Sequence, residues 1–498
     1  MDVGDGAEFD VVVAGGGPAG STLAAAVALR GHRVLVLESA RFPRYQIGES
    51  LLPSTVHGVC RLIGASDAVA RAGFVRKRGG TFRWGSSPDP WTFSFAVSPR
   101  MAGPTSFSYQ VERMKFDKIL LDNAQTAGAV VREQCTATRV FDADGRAAGL
   151  WYSDAGGAEH LVRARYVVDA SGNRSRIYKS VGGRREYSEF FRNLAVFGYF
   201  ANGKRLPEPN SGNIFCSTFG KGWFWYIPLS TSMTSVGAVI HRELAEEIQG
   251  DPEKALYKLI GECPHIAGLL ADATRIAEGE YGQVRIRKDY SYHQSQFWRP
   301  GLVLVGDAAC FVDPVFSSGV HLATMGALLA ARSINSALAG GLSEDRLFRE
   351  FELRYRHEYH VFYKYLMSFY AMNVDKESYF WQARKITGGS HSELEAFVEL
   401  VGGVSSDEFA LSPGEAMARR ISSESAELAR AARQIADSGS DSVLPLLKAS
   451  GFAQAMQESE KVLARAQFGG EFTTEQPLSD GTLISSDDGL AWVAASEP

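Results

Sequence analysis

Four consecutive apolar positions, Val11-Val12-Val13-Ala14, run into Gly15-Gly16-Gly17-Pro18-Ala19-Gly20 and then into an alanine-rich stretch that ends near Arg30. An unbroken apolar run this short predicts a parallel strand buried on both faces, and the glycines open a helix behind it. Val34 to Leu37 predicts a second buried strand, followed at once by Glu38. Leu51 to Gly64 and Ala68 to Gly73 read as helices, Thr81-Phe82-Arg83-Trp84 alternates like a strand, and a helix follows Arg113. Strands are expected within Gly128 to Tyr152 and at Tyr166-Val167-Val168, the latter ending in the small-residue turn Asp169-Ala170-Ser171-Gly172. Between Tyr187 and Asp289 the pattern changes to alternating aromatic strands, as in Leu194 to Phe200, Trp223 to Ile227 and Ser235 to Ile240. That change predicts a second, more antiparallel sheet inserted into the first unit. Leu302 to Val305 returns to a buried parallel strand, a long helix is expected over Val320 to Ala339, and the chain reads as helical from Glu344 onward. Helical stretches there include Tyr355 to Tyr370, Pro413 to Ala436 and Pro445 to Ala466, and after Gly469 a polar, extended or partly ordered tail is expected.

At 498 residues the chain exceeds what one core usually serves, so more than one domain is expected. A net charge of −5 gives no footprint for nucleic acid. Cys60, Cys135, Cys216, Cys263 and Cys310 are scattered and lack CxxC spacing, which argues against a disulfide framework or a zinc site and for buried, reduced thiols. No run of eighteen purely apolar residues is present, and the acidic N-terminus lacks a cationic leader, so a cytoplasmic, non-membrane protein is expected.

The glycine turn carries the first chemistry. Gly15 permits the tight turn, Gly17 lets a pyrophosphate reach backbone N–H groups at the helix N-terminus, and Gly20 lets the helix lie against the strand. Glu38, 18 positions after Gly20, stands where a carboxylate accepts hydrogen bonds from ribose hydroxyls, and an acidic residue there favours an unphosphorylated ribose. Each residue alone also suits a purely structural role.

GGGPAG with Glu38, the turn at Asp169 to Gly172, and Gly306-Asp307-Ala308-Ala309 together resemble the FAD-binding fold of aromatic hydroxylases and their relatives. The resemblance implies bound FAD, with Gly15, Gly17, Pro18, Ala19, Gly20, Glu38, Arg113 and Asp307 against it. It also implies an α/β, Rossmann-like three-layer fold with an inserted, mainly antiparallel sheet and a helical C-terminal region. On that basis residues 1–340 form an FAD-binding core with substrate-side insertions at about 79–112 and 187–285. Residues 341–498 form the helical region, with the last ~30 residues a tail.

The stretch Gly222-Trp223-Phe224-Trp225-Tyr226-Ile227-Pro228 contains WxWxIP, which resembles the signature of flavin-dependent halogenases. In that family the bulky side chains, here Trp223 and Trp225, are thought to keep substrate away from the flavin. Gly73 to Gly80 matches the region that carries the family's lysine, with Lys77 in its place. Hypochlorous acid made from chloride, oxygen and reduced flavin must be delivered to one ring carbon. An ammonium can hydrogen-bond that species, and an amine can take its chlorine; Arg76 and Arg78 cannot do the latter because guanidinium stays protonated. Ser317-Ser318-Gly319, just before the long helix, matches the family's chloride turn and offers backbone N–H donors.

Tryptophan halogenases carry a glutamate immediately before that turn, where this chain has Phe316. The departure implies a substrate that needs no such help, such as a phenol chlorinated ortho to its hydroxyl. The phrases RFPRYQIGESLLPSTVHGVCR, RKRGGTFRWG, SYQVER, YSEFFRNLAVFGYF, DPVFSSGVHLA, ESYFWQA and FVELVGGVSS look like the tyrosine halogenases of glycopeptide-antibiotic assembly lines, with enediyne β-tyrosine halogenases close. That likeness implies chlorination of a tyrosine-type residue held on a peptidyl carrier protein in nonribosomal peptide biosynthesis. No second GxGxxG is present, so a separate flavin reductase is expected to supply reduced FAD. Arg419-Arg420, Arg430 and Arg433 are weak candidates for a carrier-docking face. The alternatives are an FAD-dependent phenolic monooxygenase and a non-catalytic binding protein on a flavoprotein fold.

Overall fold

The computed structural model describes residues 8–84, 89–98, 100–371, 393–404 and 483–494. The first sheet has eight strands; six run in the spatial order Trp298–Arg299, Leu302–Leu304, Glu159–Asp169, Phe9–Ala14, Val34–Glu38, Val130–Glu133, and the other two, Thr136–Ala143 and Arg146–Ser153, form a hairpin that branches off Glu159–Asp169. Its central pairs are parallel, with Val11 opposite both Val34 and Tyr166. Val11 to Ala14 and Val34 to Leu37 are at most 1% exposed, as the unbroken apolar runs require of strands covered on both faces. Helix α1 (Pro18–Ala28) follows the glycine turn with every residue buried, and α2 (Arg113–Thr126) packs beside it. Helix α3 (Ser318–Ala339) covers α1 from the other direction, and α4 (Glu344–Ala371) covers α3.

The second sheet has nine strands and is antiparallel except where Ile214–Phe219 runs parallel to Gly79–Arg83. Alternation along Gly222–Pro228 sends Trp223, Trp225 and Ile227 into the main core, which this sheet shares with the first. Phe224 and Tyr226 point to a separate core capped by the helix Pro252–Gly261 through Leu256, Leu259 and Ile260. A strand with both faces buried explains why the stretch carries so few polar residues. A further helix, α5 (Glu393–Gly402), seals the aromatic cluster behind Phe316: Phe397 packs on Phe93, Phe316 and Tyr365.

All five cysteines are free and buried. Helix α3 is long and apolar enough to cross a membrane by length and composition, but 83% of its 18-residue window is buried, which makes it a core helix. Part of the stretch expected as an extended or partly ordered tail is described, at residues 483–494. Leu483–Ser485 and Trp492–Ala494 form a hairpin seated on α3, where Trp492 donates through its indole N–H to Ser333 Oγ at 3.0 Å. Asn335 Nδ2 donates to Leu490 O at 2.7 Å, and Trp492 is 3% exposed. The helical stretches expected at 413–436 and 445–466, the four arginines named for docking, and the phrase ESYFWQA lie outside the described residues.

Candidate functional site

A cleft of about 930 Å³ runs from the glycine turn to the N-terminus of α3. It brings together Gly15, Gly17, Pro18, Ala19, Glu38, Arg113, Asp307, Trp223, Trp225, Ser317 and Gly319, eleven of the fifteen residues singled out in the sequence. Of the other four, Gly20 lies beneath the turn. A Cβ there would stand 1.8 Å from Gly15 O, so glycine is required for α1 to approach the strand. Phe316, Ser318 and Lys77 do not line this cleft.

The glycine end fits a dinucleotide. Gly15 takes φ +103°, which a side chain would resist, and a Cβ at Gly17 would meet only Arg44 Nη2 within 4 Å. The turn therefore leaves its backbone accessible from the cleft. Glu38 accepts from Gly16 N at 2.7 Å and Ala40 N at 2.8 Å, which fixes its carboxylate at the cleft wall with further lone pairs to offer a ribose. Arg113 opens α2, is 7% exposed, and forks onto Asp117 at 2.7 and 2.9 Å. Its remaining nitrogen donates to Ile47 O and Gly48 O, so it pins the loop after the second strand to the cleft. Burial raises the Asp307 carboxyl while Arg287, Arg113 and Arg185 pull it back down. This lining of glycine backbone and arginines suits the pyrophosphate and ribityl chain of FAD.

At the other end, Ser317 sits in the left-handed region at φ +62°, and α3 begins at Ser318 rather than at Val320. A non-glycine residue held there is strained, and such strain is commonly kept where the backbone serves a ligand. The Ser318 hydroxyl is fully buried with no hydrogen-bond partner among the described residues. An orphaned donor beside the free N–H groups of a helix N-terminus fits a halide. Phe316 packs against Phe82, Tyr365 and Phe369, so the position before the turn is an aromatic wall.

Lys77 is 3% exposed and stands apart from the cleft that Trp223 and Trp225 line. Its Nζ donates to Leu51 O at 3.1 Å and lies 5.7 Å from the Phe95 ring centre. Burial pushes the ammonium down to about 7, with Cys216 acting weakly the other way. A lysine held this way releases its proton near neutrality and becomes a nucleophilic amine. Between about 7 and the ordinary 10.5 the unfolded chain binds a proton that the folded chain does not, so stability from this group rises with pH. Lys77→Met is therefore expected to stabilise the fold by on the order of a few kcal/mol at about pH 6 and by roughly half as much at about pH 9. Urea unfolding at the two pH values checks this, and an equal gain at both would overturn the burial argument.

Sequence reasoning missed two further groups. Glu49 lines the cleft while 2% exposed; Tyr199 donates to its Oε1 at 2.7 Å, and Tyr45 pairs with Tyr199 at 2.7 Å. Burial raises the Glu49 carboxyl to about 7. Asp313 is fully buried, bonded by Asn193 at 2.8 Å and Tyr370 at 3.0 Å, and raised by burial to about 6. Both sit in polar phrases that read as loops, and their burial depends on strands more than a hundred residues away.

The family model described as tryptophan halogenase matches residues 10–103 and 98–428. A protein named tryptophan 2-halogenase from Chondromyces crocatus is 36% identical over 389 residues, 78% of this chain and 72% of that protein. The flavin-dependent halogenase gsfI of Penicillium aethiopicum is 34% identical over 72% of this chain and 70% of its own. Among solved structures, the myxobacterial chondrochloren halogenase CndH, described as a variant of FAD-dependent halogenases, is 50% identical. It covers 97% of this chain and 99% of its own at a TM-score of 0.74.

Proposed function

The chain belongs to the flavin-dependent, tryptophan-halogenase-type family, an oxidoreductase family that uses FAD and chloride, and within it we propose that this member chlorinates the phenol ring of a tyrosine-type residue carried on a peptidyl carrier protein. The observation that carries the reading is the pairing of a buried amine with an all-aromatic wall. Lys77 supplies a buried amine able to hold an electrophilic chlorine, and Phe316 with its ring neighbours supplies no carboxylate to help a weakly activated ring. A phenol directs chlorine ortho to its own hydroxyl and needs no such help.

Reduced FAD, when bound, supplies with oxygen the oxidant that turns chloride into hypochlorous acid. The chain's residues do the rest. The N-terminus of α3 at Ser317 to Gly319 holds chloride at the cleft, and Trp223 and Trp225 bar the aromatic substrate from it. The Lys77 amine attacks the chlorine of hypochlorous acid, forming N–Cl and releasing water once hydroxide takes up the displaced proton. The ring carbon then takes the chlorine, and its hydrogen leaves as a proton to regenerate the amine. Lys77 lies 3.1 Å from Leu51 O, so one N–H is committed and the nitrogen's direction is fixed. A separate flavin reductase feeds the cycle. Residues 1–340 are read as the flavin and halide unit, with substrate-side insertions at about 79–112 and 187–285, and residues 341–498 as a helical region.

Incubating the protein with tyrosyl-loaded carrier protein, FAD, NADH, a flavin reductase, oxygen and chloride should place a chlorine isotope pattern on the acyl group, read by mass spectrometry. Free tyrosine should remain unchanged under the same conditions. The second reading is a free aromatic substrate, favoured by the 36% identity to a protein named for tryptophan. Chlorination of free tyrosine or tryptophan at the rate of the loaded carrier would establish that reading instead.

A further inference from the structure

Ser54 Oγ lies 2.8 Å from His321 Nδ1, and His321 Nε2 lies 2.7 Å from Glu358 Oε1. Ser54 and His321 are fully buried and Glu358 is 1% exposed. The order hydroxyl, imidazole, carboxylate is that of a hydrolytic triad, yet all three members are buried and none lines the cleft, so nucleophilic attack is not its use. Its members come from three places: the turn Ser54–Val59, α3 and α4. Gly403, just past the end of α5, closes over the chain. A Cβ there would stand 2.3 Å from Ser54 Oγ and 2.9 Å from the His321 ring, and its φ of +73° also calls for glycine.

His321 is one helical turn beyond Ser318, so its position and that of the halide turn are rigidly linked. Ser54 is three residues beyond Leu51, whose carbonyl receives the Lys77 ammonium or amine N–H at 3.1 Å. Pro53 stands between them with φ −54° and stiffens that short link, while Leu51 N donates to Tyr109 O at 3.0 Å. His321 is thus the node where the lysine's support and the halide's support meet. A buried polar chain with each member bonded fixes geometry more tightly than apolar packing of the same volume.

We propose that Ser54, His321 and Glu358 are positioning residues that hold the Lys77 nitrogen in register with the halide turn, so that hypochlorous acid reaches lysine instead of escaping. The proposal rests on Lys77 being the chlorine carrier. Ser54→Ala in the full chain removes the link on the lysine side and leaves the His321–Glu358 pair intact. Three rates are measured with FAD, flavin reductase, oxygen and chloride present: reduced-flavin oxidation, substrate chlorination, and free hypochlorous acid caught by a diketone trap such as monochlorodimedone. Oxidation should stay within about twofold of the parent, chlorination per flavin oxidised should fall by roughly tenfold or more, and trapped hypochlorous acid should rise to match. Gly403→Ala, which presses on the same hydroxyl, should show the same leak, and adding it to Ser54→Ala should cost less than it costs alone because the clashing oxygen is gone.

Unchanged chlorination per flavin oxidised in Ser54→Ala would overturn the proposal, as would a parallel fall of oxidation and chlorination, which marks general loss of structure. Lys77→Ala run beside it separates the two readings. If that variant still chlorinates, the role of Lys77 fails whatever Ser54→Ala does; if it is dead while Ser54→Ala stays fully coupled, only the positioning role fails.

Discussion

Lys77→Ala is expected to lower chlorination by roughly 10³-fold or more while reduced flavin is still oxidised at close to the parent rate. The separation of the two rates follows from where Lys77 stands relative to the cleft. Trp223 and Trp225 line the cleft and Lys77 does not, so removing the lysine leaves the cleft's own residues untouched. The lost amine is also not replaceable by its neighbours, since Arg76 and Arg78 carry guanidinium groups that do not give up a proton. The pH profile tells which form of Lys77 works. With burial holding its pKa at about 7, transfer through the amine gives chlorination that rises through pH 7, whereas hydrogen bonding by the ammonium gives chlorination that falls through it. A variant that chlorinates as well as the parent would remove Lys77 from the chemistry, and a variant that also stops oxidising flavin would place it inside the cleft.

What the sequence disclosed follows from how local each signal is. The strand, turn and helix around Gly15 to Gly20 are set by neighbours within a few positions, and Glu38 meets the turn through the parallel pairing of Val11 with Val34. The alternation of Trp223 and Trp225 with Phe224 is visible because a strand's period is two, and the structure puts the two sets in different cores. Ser317 was legible as a turn but not as a left-handed residue, because serine carries no conformational signature of the kind glycine does. The hairpin at the C-terminus was hidden by polar composition; its order comes from Ser333, Ser336 and Asn335 on α3, more than 140 positions earlier. His321 and Glu358 likewise read as ordinary members of two helices. Only the packing of α3 on α4 makes them partners, and only Ser54 gives the pair a direction toward the lysine.

Gly319→Val is expected to raise the chloride KM by roughly ten- to a hundredfold with the fold intact. Two glycines near the cleft differ in why they are glycine. At Gly20 an added Cβ would overlap Gly15 O at 1.8 Å, so the backbone itself forbids a side chain. At Gly319 an added Cβ meets nothing within 4 Å, and no positive φ is needed there, so neither packing nor conformation calls for glycine. The first turn of a helix would in fact gain from alanine, by up to about 1 kcal/mol. What the missing side chain does leave is open volume at the cleft, next to the N–H groups of Ser318 to Val320 and the unpartnered Ser318 hydroxyl. Gly319→Ala should then fold at least as stably as the parent, measured by thermal unfolding, while already weakening chloride, and valine should weaken it further as its branches fill the same space. Chloride titrations of both variants at saturating reduced flavin read the effect directly. An unchanged chloride KM would move the halide away from this turn, whereas a loss of stability in the alanine variant would show that the fold, not the ligand, keeps position 319 bare.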